Sequence, residues 1–373
     1  MAKRKGGQKT PAEPSRAVFA LEASMTGYTY ADAFYPGSLA ITVALAGCSA
    51  RCSFCITLPG SWQPDRLEAA PAGLVTADGR VRTFRNLAAY LAPAQIVRGA
   101  VLAGAGVLAV TGGEPTYQAS TFTATLCRMA KAAGLKTLLL SNGITDPAVV
   151  RQLAPNVDGV LLGIKGSLSP AFYERWMGVS GAVETVKQAA RAWRDAGVWM
   201  QVTALLAPPS MQGDQEHESS EADLYGWILS DLGPHTPVSF GCMFRPGAAG
   251  EFFVSNPAEQ DAYARRLHAA GPRARAMGLS YAADISRIND GHTVYRCHSC
   301  GGTVLLLQSP MIECGEACTV SASWCPRWSH EQHATAGRCD SCGAEVPVRT
   351  LPAAKIEANR RRVSALNQGR RGR

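Results

Sequence analysis

The sequence predicts an α/β fold in which short buried strands alternate with helices. Apolar, β-rich runs alternate with stretches of helical periodicity along the middle of the chain. Polar or glycine residues recur just past the end of each run. No Gly-x-Gly-x-x-Gly segment opens a helix, as it would in an open dinucleotide-binding sheet. We therefore expect a partial (β/α)6 TIM-type barrel, followed by a C-terminal cysteine-rich metal-binding module.

Six strands and their intervening helices can be placed in chain order. Strands are predicted at residues 40–46, 106–110, 136–140, 159–164, 198–206 and 237–242. Helices are predicted at residues 93–104, 122–133, 182–195 and 222–232, with a short helix from Pro147. The carboxyl ends of barrel strands meet at one mouth, so residues that follow them are expected to form a site there.

Composition and charge narrow the class of protein. The chain has 373 residues, 46% of them hydrophobic and 18% charged, which is ordinary globular composition with enough apolar side chains for a core. No apolar run approaches the roughly 20 residues of a membrane span, and no apolar segment follows the basic start of the chain. We expect a cytoplasmic protein without membrane contact, in which twelve cysteines serve as metal ligands or redox groups.

The net charge of +8 is located at the two ends of the chain. Between residues 10 and 354 there are 26 basic and 28 acidic residues. The basic ends are expected to be solvated and mostly disordered, with at most weak, nonspecific binding of polyanions. The expected domains are an N-terminal basic extension (1–35), the barrel (36–290), the cysteine-rich module (291–350) and a basic C-terminal tail (351–373).

Three cysteines lie on one loop directly after the first predicted strand, in the spacing Cys48-x3-Cys52-x2-Cys55. Thiolates suit iron–sulfur clusters and zinc. A structural zinc site would need a fourth ligand nearby, and no further cysteine occurs before Cys127. Three ligands leave one coordination position open, as a catalytic cluster requires.

This loop resembles that of the radical S-adenosylmethionine (SAM) enzymes, as do two nearby features. Phe54 occupies the family's usual aromatic position before the last cysteine, and Gly112-Gly113-Glu114-Pro115 resembles its glycine-glycine-glutamate motif. The resemblance implies that Cys48, Cys52 and Cys55 bind three irons of a [4Fe–4S] cluster while the fourth iron chelates SAM. It also implies that Phe54 lies near the adenine, that Gly112 and Gly113 allow close backbone approach to the methionyl amine, and that Glu114 accepts a hydrogen bond from it.

The resemblance extends over about residues 38–350. Segments 141–143, 159–166, 196–208 and 227–240 follow the order and spacing of the subgroup similar to pyruvate formate-lyase activating enzymes, especially the AmmeMemoRadiSam-system proteins. Gly163, Gln201 and Ser239 depart from the subgroup's usual Asp, Glu and His. These positions are expected to line the substrate pocket, so the subgroup's substrate does not carry over to this chain.

Ser141, Asn142 and Lys165 are candidate contacts to the ribose and carboxylate of SAM, or alternatively ordinary strand-end caps. The implied chemistry is reductive cleavage of SAM to a 5′-deoxyadenosyl radical, which takes a hydrogen atom from a small-molecule or peptide substrate. An electron donor such as flavodoxin or ferredoxin is implied as a partner. The sequence does not identify the substrate.

Seven further cysteines crowd near the C-terminus. Cys297-x2-Cys300 and Cys339-x2-Cys342, each followed by glycine, have the form of two zinc-ribbon knuckles. A second site could be formed by Cys314, Cys318 and Cys325 with His330 or His333. Alternatively, these thiols, together with Cys242, hold an auxiliary iron–sulfur cluster. The spacing does not separate these two options, since both metals accept such ligands, and we favour Zn²⁺ for the outer four cysteines.

Three functions are consistent with these features. The first is a radical SAM enzyme with an unidentified substrate. The second is an activase of a glycyl-radical enzyme. The third is a nucleic-acid-associated zinc-ribbon protein that uses its basic ends, although no aromatic and basic stripe for base stacking is present.

Overall fold

A computed structural model describes residues 16–26, 33–57, 63–70, 81–82, 84–117, 120–245, 248–252, 256–285, 292–308 and 329–368. Its main sheet contains nine strands. In chain order they are β1 (Arg16–Met25), β2 (Leu39–Leu45), β3 (Glu68–Ala69), β4 (Phe84–Leu91), β5 (Val107–Gly112), β6 (Lys136–Ser141), β7 (Gly159–Lys165), β8 (Trp199–Leu205) and β9 (Val238–Gly241).

The helices cover the outer face of this sheet and one side of the C-terminal region. They are α1 (Pro93–Ala103), α2 (Ser120–Ala132), α3 (Pro147–Leu153), α4 (Pro170–Met177), α5 (Ala182–Asp195), α6 (Asp214–Trp227), α7 (Pro257–Ala276) and α8 (Ala353–Gln368). A π-helical turn, Ile228–Leu232, follows α6.

The strand order β3-β4-β1-β2-β5-β6-β7-β8-β9 confirms the predicted partial barrel. The six strands β2, β5, β6, β7, β8 and β9 are parallel to one another. They lie side by side in the same order in which they follow along the chain. An open doubly wound sheet would reverse its order at a switch point, and this one does not. Among the described strands β9 pairs only with β8, so the barrel stays open.

Alternation along the strands separates the two faces of the sheet. Leu139, Leu162 and Val202 point outward into the main core with the helices. The residues between them on these strands, such as Leu140, Gly163 and Thr203, face the concave side and are only half-buried. Toward its carboxyl edge the concave face is therefore less completely buried than the outer face, and the loops assemble the site there.

The N-terminal boundary of the folded part differs from the expected one. Residues 16–25, expected in the extension, form β1, which pairs antiparallel with β2 and with β4. Within the segment Val18–Met25, seven of eight side chains are buried. The apolar side chains of β1 therefore form part of the core around the sheet. Its pairing next to β2 brings the N-terminal segment beside the loop that follows β2.

The C-terminal region forms small antiparallel sheets. One sheet has the order β12 (Asp284–Ile285), β13 (His292–Arg296), β14 (Thr303–Gln308) and β15 (Ser329–Gln332). The two-stranded sheets are β10 (Phe244–Arg245) with β11 (Ala248–Phe252), and β16 (Ala334–Thr335) with β17 (Arg338–Cys339).

This region packs against the amino end of the barrel. Trp199, the first residue of β8, donates a hydrogen bond from Nε1 to the carbonyl of Pro347, at 2.9 Å. The amide of Arg349 donates to the carbonyl of Ala33, at 2.9 Å. The ring of Phe34 contacts that of Trp199, with centroids 5.0 Å apart. The cysteine-rich region thus closes the end of the barrel opposite the carboxyl edge.

The expectation of a solvated C-terminal tail is wrong for residues 353–368. They form α8, which packs against β1 and β2 and buries Ile356 and Val363 in the core it shares with the cysteine-rich region. Asn359 donates a hydrogen bond from Nδ2 to the carbonyl of Gly37, at 2.9 Å. Residues 1–15 and 369–373 lie outside the described residues. No described helix has the length and apolar character needed to cross a bilayer.

Candidate active site at the carboxyl edge of the sheet

The three closely spaced cysteines lie on the loop of residues 46–57, here called the cysteine loop, which leaves β2 at the carboxyl edge of the sheet. Cys48, Cys52 and Cys55 are free and half-buried. The end of α4 holds the middle of the loop, because the amides of Arg51 and Ser53 donate to the carbonyls of Met177 and Trp176, at 2.8 and 2.9 Å. The loop is therefore fixed by backbone contacts before any metal binds.

Residues 112–117, here called the glycine turn, close directly onto the start of the cysteine loop. The amide of Gly113 donates to the carbonyl of Leu45, at 2.8 Å, and that of Glu114 donates to the carbonyl of Gly47, at 2.7 Å. Gly112 has φ +103°, and a Cβ on Gly113 would lie 2.0 Å from the Gly47 oxygen. Only glycine fits these two positions, because Gly112 approaches the backbone at the end of β2 and Gly113 approaches that of the cysteine loop.

Glu114 is fully buried and joins the glycine turn to the loop after β6. One carboxylate oxygen accepts hydrogen bonds from Ser141 Oγ, Thr116 Oγ1 and the Thr116 amide, at 2.9, 2.8 and 3.2 Å. The other accepts from the Asn142 amide, at 2.7 Å. Burial raises the pKa of Glu114, and these donors act against that shift. Its predicted contact with the SAM amine stays a prediction, since the carboxylate is occupied by protein donors.

Asn142 connects this network to the first cysteine. Its Nδ2 lies 3.5 Å from Cys48 Sγ and 3.1 Å from Ser49 Oγ, while its Oδ1 accepts from the Ile144 amide, at 2.8 Å. The structure thus brings Ser141 and Asn142 together with Glu114 and Cys48. Their roles at the SAM ribose remain predictions, and in the structure Asn142 is a hydrogen-bond donor to a sulfur ligand.

Phe54 belongs to the cysteine loop, and Lys165 ends β7 close to the sulfurs of that loop. Phe54 is 5% exposed and packs against Phe172, with ring centroids 5.7 Å apart. The Lys165 ammonium folds back over Gly163, where an added Cβ would lie 2.8 Å from Nζ. Burial lowers the pKa of Lys165, whereas the neighbouring sulfurs of the cysteine loop raise it. Its Nζ makes no hydrogen bond or ion pair with any described residue, so this cation is available to an anionic ligand.

Cys48 and Cys52 of the cysteine loop are protonated at neutral pH when no metal is bound. Burial raises the pKa of Cys48 to about 11 and that of Cys52 to about 12. The Lys165 charge acts in the opposite direction at Cys52. Metal binding must therefore release these protons and supplies the charge that stabilises the thiolates. The donor set, three thiolates with an open position, fits the implied [4Fe–4S] cluster.

The three positions that depart from the subgroup pattern are not equivalent. Gly163 lies beside Lys165 on the concave face. Gln201 is instead fully buried, where it accepts from the Ala33 amide, at 3.1 Å, and donates to Ser239 Oγ, at 2.9 Å. The expectation that Gln201 lines the substrate pocket is wrong, because the third residue of β8 lies below the carboxyl edge and its side chain is fully buried.

Arg16 is the functional residue that sequence reasoning missed. It begins β1, and its guanidinium reaches from there to the junction of the cysteine loop and the glycine turn. The sequence places Arg16 in the N-terminal extension, because an isolated arginine next to a basic segment carries no motif. Only the antiparallel pairing of β1 with β2 would have indicated its position.

A second thiol group, the four-cysteine site, lies at the opposite end of the barrel. Sγ atoms of Cys297, Cys300, Cys339 and Cys342 all lie within 4.8 Å of one another. The Cys297–Cys342 and Cys300–Cys339 sulfurs are 3.6 and 3.8 Å apart. Cys242 follows β9 at the carboxyl edge and does not join this group. Cys314, Cys318 and Cys325 lie outside the described residues.

Comparison with known proteins yields one matching family model. It is that of the Radical SAM superfamily, and it matches residues 43–217. A curated relative, the uncharacterized protein MJ0808 of Methanocaldococcus jannaschii, is 24% identical over 275 residues, covering 73% of this chain and 71% of its own.

Similar solved structures include QueE from Escherichia coli, with 14% identity and a TM-score of 0.38, over 61% of this chain and 84% of that chain. SuiB from Streptococcus suis has 16% identity and a TM-score of 0.38, and the match covers 63% of this chain and 44% of SuiB. HydG from Carboxydothermus hydrogenoformans has 12% identity and a TM-score of 0.40, and the match covers 66% of this chain and 53% of HydG. The matched residues 43–217 contain the cysteine loop, the glycine turn, Asn142 and Lys165. Residues 43–217 thus match the Radical SAM superfamily, and membership of that family implies SAM and a [4Fe–4S] cluster as cofactors.

Proposed function

We propose that this protein is a radical SAM enzyme whose cluster is bound by Cys48, Cys52 and Cys55. The observation that carries the proposal is the junction of the cysteine loop with the glycine turn, where backbone hydrogen bonds, Glu114 and Asn142 orient three free thiols beside an unpaired ammonium. When bound, the reduced cluster and SAM supply a 5′-deoxyadenosyl radical that abstracts a hydrogen atom from the substrate.

The protein's own residues would bind and orient the reactants. Lys165 is placed to receive a carboxylate, because the residue is half-buried on the concave face and its Nζ is not paired with any described residue. We assign that carboxylate to SAM, since the ammonium lies next to the cysteine loop. The half-buried residues Gly163 and Thr203 leave room beyond it for the substrate, which we propose to be a small molecule or a peptide.

Cluster binding and SAM cleavage are tested together. Anaerobic reconstitution should yield a brown protein with about four irons at the cysteine loop, and dithionite plus SAM should release 5′-deoxyadenosine. A triple Cys48→Ala, Cys52→Ala, Cys55→Ala variant should lose both properties. Wild-type protein that incorporates iron but releases no 5′-deoxyadenosine would disprove the activity.

Lys165 is tested separately through SAM affinity. Lys165→Ala should weaken SAM binding about 10–100-fold, the loss typical of a charge-assisted hydrogen bond, while cluster content stays unchanged. Lys131→Ala, which removes an exposed lysine from α2, is the matched control. Equal SAM affinity in both variants would remove Lys165 from the SAM site.

We propose that the four-cysteine site binds a single Zn²⁺ with a structural role. A tetrahedral ion with metal–sulfur bonds of about 2.3 Å separates its sulfurs by about 3.8 Å, close to the 3.6 and 3.8 Å between the paired cysteines. A multinuclear cluster distributes its cysteines over two or more irons, so some of the sulfurs would lie farther apart than the 4.8 Å within which all four are found here. All four positions are filled by protein, as in structural zinc sites.

Metal analysis distinguishes zinc from an auxiliary cluster. The triple alanine variant of the cysteine loop should contain one zinc per chain and no iron, with zinc–sulfur distances of about 2.3 Å by X-ray absorption. Iron bound at the four-cysteine site of this variant, with a brown colour, would instead establish an auxiliary cluster.

A further inference from the structure

We propose that Arg16 is a positioning residue for the cluster-binding loop. It would clamp the cysteine loop to the glycine turn and place a fixed positive charge beside the cluster. The inference rests on the proposed cluster at Cys48, Cys52 and Cys55, and concerns a residue outside the matched domain of residues 43–217.

The Arg16 guanidinium bridges two segments that are distant in the sequence. Nε and Nη2 donate to the carbonyl of Ala46, at 3.1 and 2.6 Å, directly before the cysteine loop turns away from β2. Nη2 also lies 3.2 Å from the carbonyl of Tyr117 and 3.4 Å from that of Glu114. Nη1 reaches the carbonyl of Pro115, at 3.5 Å. One side chain thus satisfies backbone acceptors from both sides of the junction.

The acceptors are carbonyl groups, and Arg16 pairs with none of the described carboxylates. Burial lowers the pKa of Arg16 to about 10, and the nearby Glu114 acts against that shift. The guanidinium therefore stays protonated at neutral pH. Its charge lies beside Gly47, the residue before Cys48, because a Cβ on Gly47 would stand 3.4 Å from Nη2.

Arginine suits this position better than lysine. A planar guanidinium presents donors in a fixed fork and can bind several carbonyls at once, whereas an ammonium is a compact point charge on a flexible stem. Lys at position 16 would preserve the charge and lose the bridge. Gln would lose the charge and most of the bridge. The two variants consequently separate the positional effect from the electrostatic one.

Hydrogen exchange tests the clamp without any metal. In the cluster-free protein, Arg16→Gln and Arg16→Lys should each raise amide exchange in residues 46–57 and 112–117 by about tenfold, because hydrogen bonds to a charged group are lost. Exchange elsewhere in the barrel should stay unchanged, which shows that both variants fold. Arg151→Gln, an exposed arginine on α3, is the control and should leave all regions unchanged.

The reduction potential of the reconstituted protein tests the charge. A positive charge near the cluster favours its reduced form, so Arg16→Gln should have a more negative midpoint potential than wild type. Arg16→Lys should remain near wild type, as should Arg151→Gln. The thermal unfolding temperature of the cluster-free variants is measured in parallel. Loss of a purely structural contact would lower this temperature.

The outcomes separate this inference from the proposed function. Wild-type exchange rates and a wild-type potential in Arg16→Gln would overturn the inference while leaving the proposed function intact. Failure of wild-type protein to bind iron would overturn the proposed function, whereas the exchange experiment would still report on the clamp. Faster exchange in Arg16→Lys alone would suffice to retain the positional role if Arg16→Gln did not fold.

Discussion

His217 is a buried histidine whose protonation opposes folding. It is 2% exposed on α6, with Nε2 3.3 Å from a Glu221 carboxylate oxygen. Burial lowers the pKa of His217 to about 4, and the charges of Arg266 and Arg273 act in the same direction while Asp214 acts against it. Glu221 also forms an ion pair with Arg273, at 2.6 Å, and its carboxylate accepts a hydrogen bond from the Tyr225 hydroxyl.

We predict that the protein loses stability as the pH falls from about 6.5 toward about 4. In this window the unfolded histidine binds a proton and the folded one does not, so acid favours unfolding. The shift corresponds to roughly 3 kcal/mol at the acid end. His217→Gln should flatten the pH dependence of the free energy of unfolding, measured with urea. His330, whose pKa is also lowered by burial to about 4, would leave a residual slope.

The matched control for His217 is His268→Gln. His268 is exposed on α7, so its removal should leave the slope unchanged. Equal slopes for His217→Gln and wild type would show that His217 is protonated in the folded state.

Gly113 tests the fit between the glycine turn and the cysteine loop. Gly113→Ala should bind the cluster about 10–100-fold more weakly, because its Cβ would collide with the backbone oxygen of Gly47 and displace the start of the loop. Iron content after reconstitution and a desalting step is the measurement. Gly226→Ala, in α6 with nothing within 4 Å of the added Cβ, should retain full iron content. Full iron content in both variants would show that the loop adapts.

Among the secondary-structure elements, the six parallel strands could be predicted from the sequence. Each predicted strand overlaps the observed one, since a buried apolar run next to a helix is a strong local pattern. The predicted helix 222–232 is shifted relative to α6, because its polar first half, from Asp214, resembles a loop. That half is helical because acidic residues suit a helix amino end.

The elements that were missed depend on distant contacts. β1 lies outside the alternation of strands and helices, and its role depends on antiparallel pairing with β2. α8 carries a run of arginines that is typical of a solvated segment. Its two buried residues, Ile356 and Val363, are seven positions apart and share one helical face, which was the available signal.

The packing of α8 can be tested with one truncation of a side chain. Ile356→Ala should lower the free energy of unfolding by about 2 kcal/mol, since it removes a buried aliphatic group next to Gly37. Lys355→Ala removes a neighbouring exposed side chain and should change it by less than about 0.5 kcal/mol. Chemical unfolding is the measurement, and equal midpoints for the two variants would contradict the packing of α8.

At the scale of the whole molecule, the two cysteine sites occupy opposite ends of one barrel. Strands of six or seven residues rise about 3.3 Å per residue, so about 20 Å separates the two edges of the sheet. The sequence indicated two separate sites from spacing alone. It could not indicate that they face away from each other, because this depends on how residues 329–350 return to the amino end.

This separation predicts independent metal loading. Cys300→Ser should lose zinc, lower the thermal stability and keep about four irons after reconstitution. Cys52→Ser should show the reverse, with zinc retained and iron lost. Zinc and iron are measured by elemental analysis of both variants. Loss of both metals in either variant would contradict the separation of the two sites.

The contacts that fix the cysteine loop also dictate when it can be completed during synthesis. Arg16 meets Tyr117 across 101 positions of the chain, and Asn142 meets Cys48 across 94. A nascent chain that ends before Asn142 holds all three cysteines and the glycine turn. It still lacks the loop after β6 and the end of α4, whose Trp176 and Met177 carbonyls accept hydrogen bonds from the cysteine loop. Cluster insertion into a properly oriented loop must therefore wait until about half of the protein, through Met177, has been made and folded.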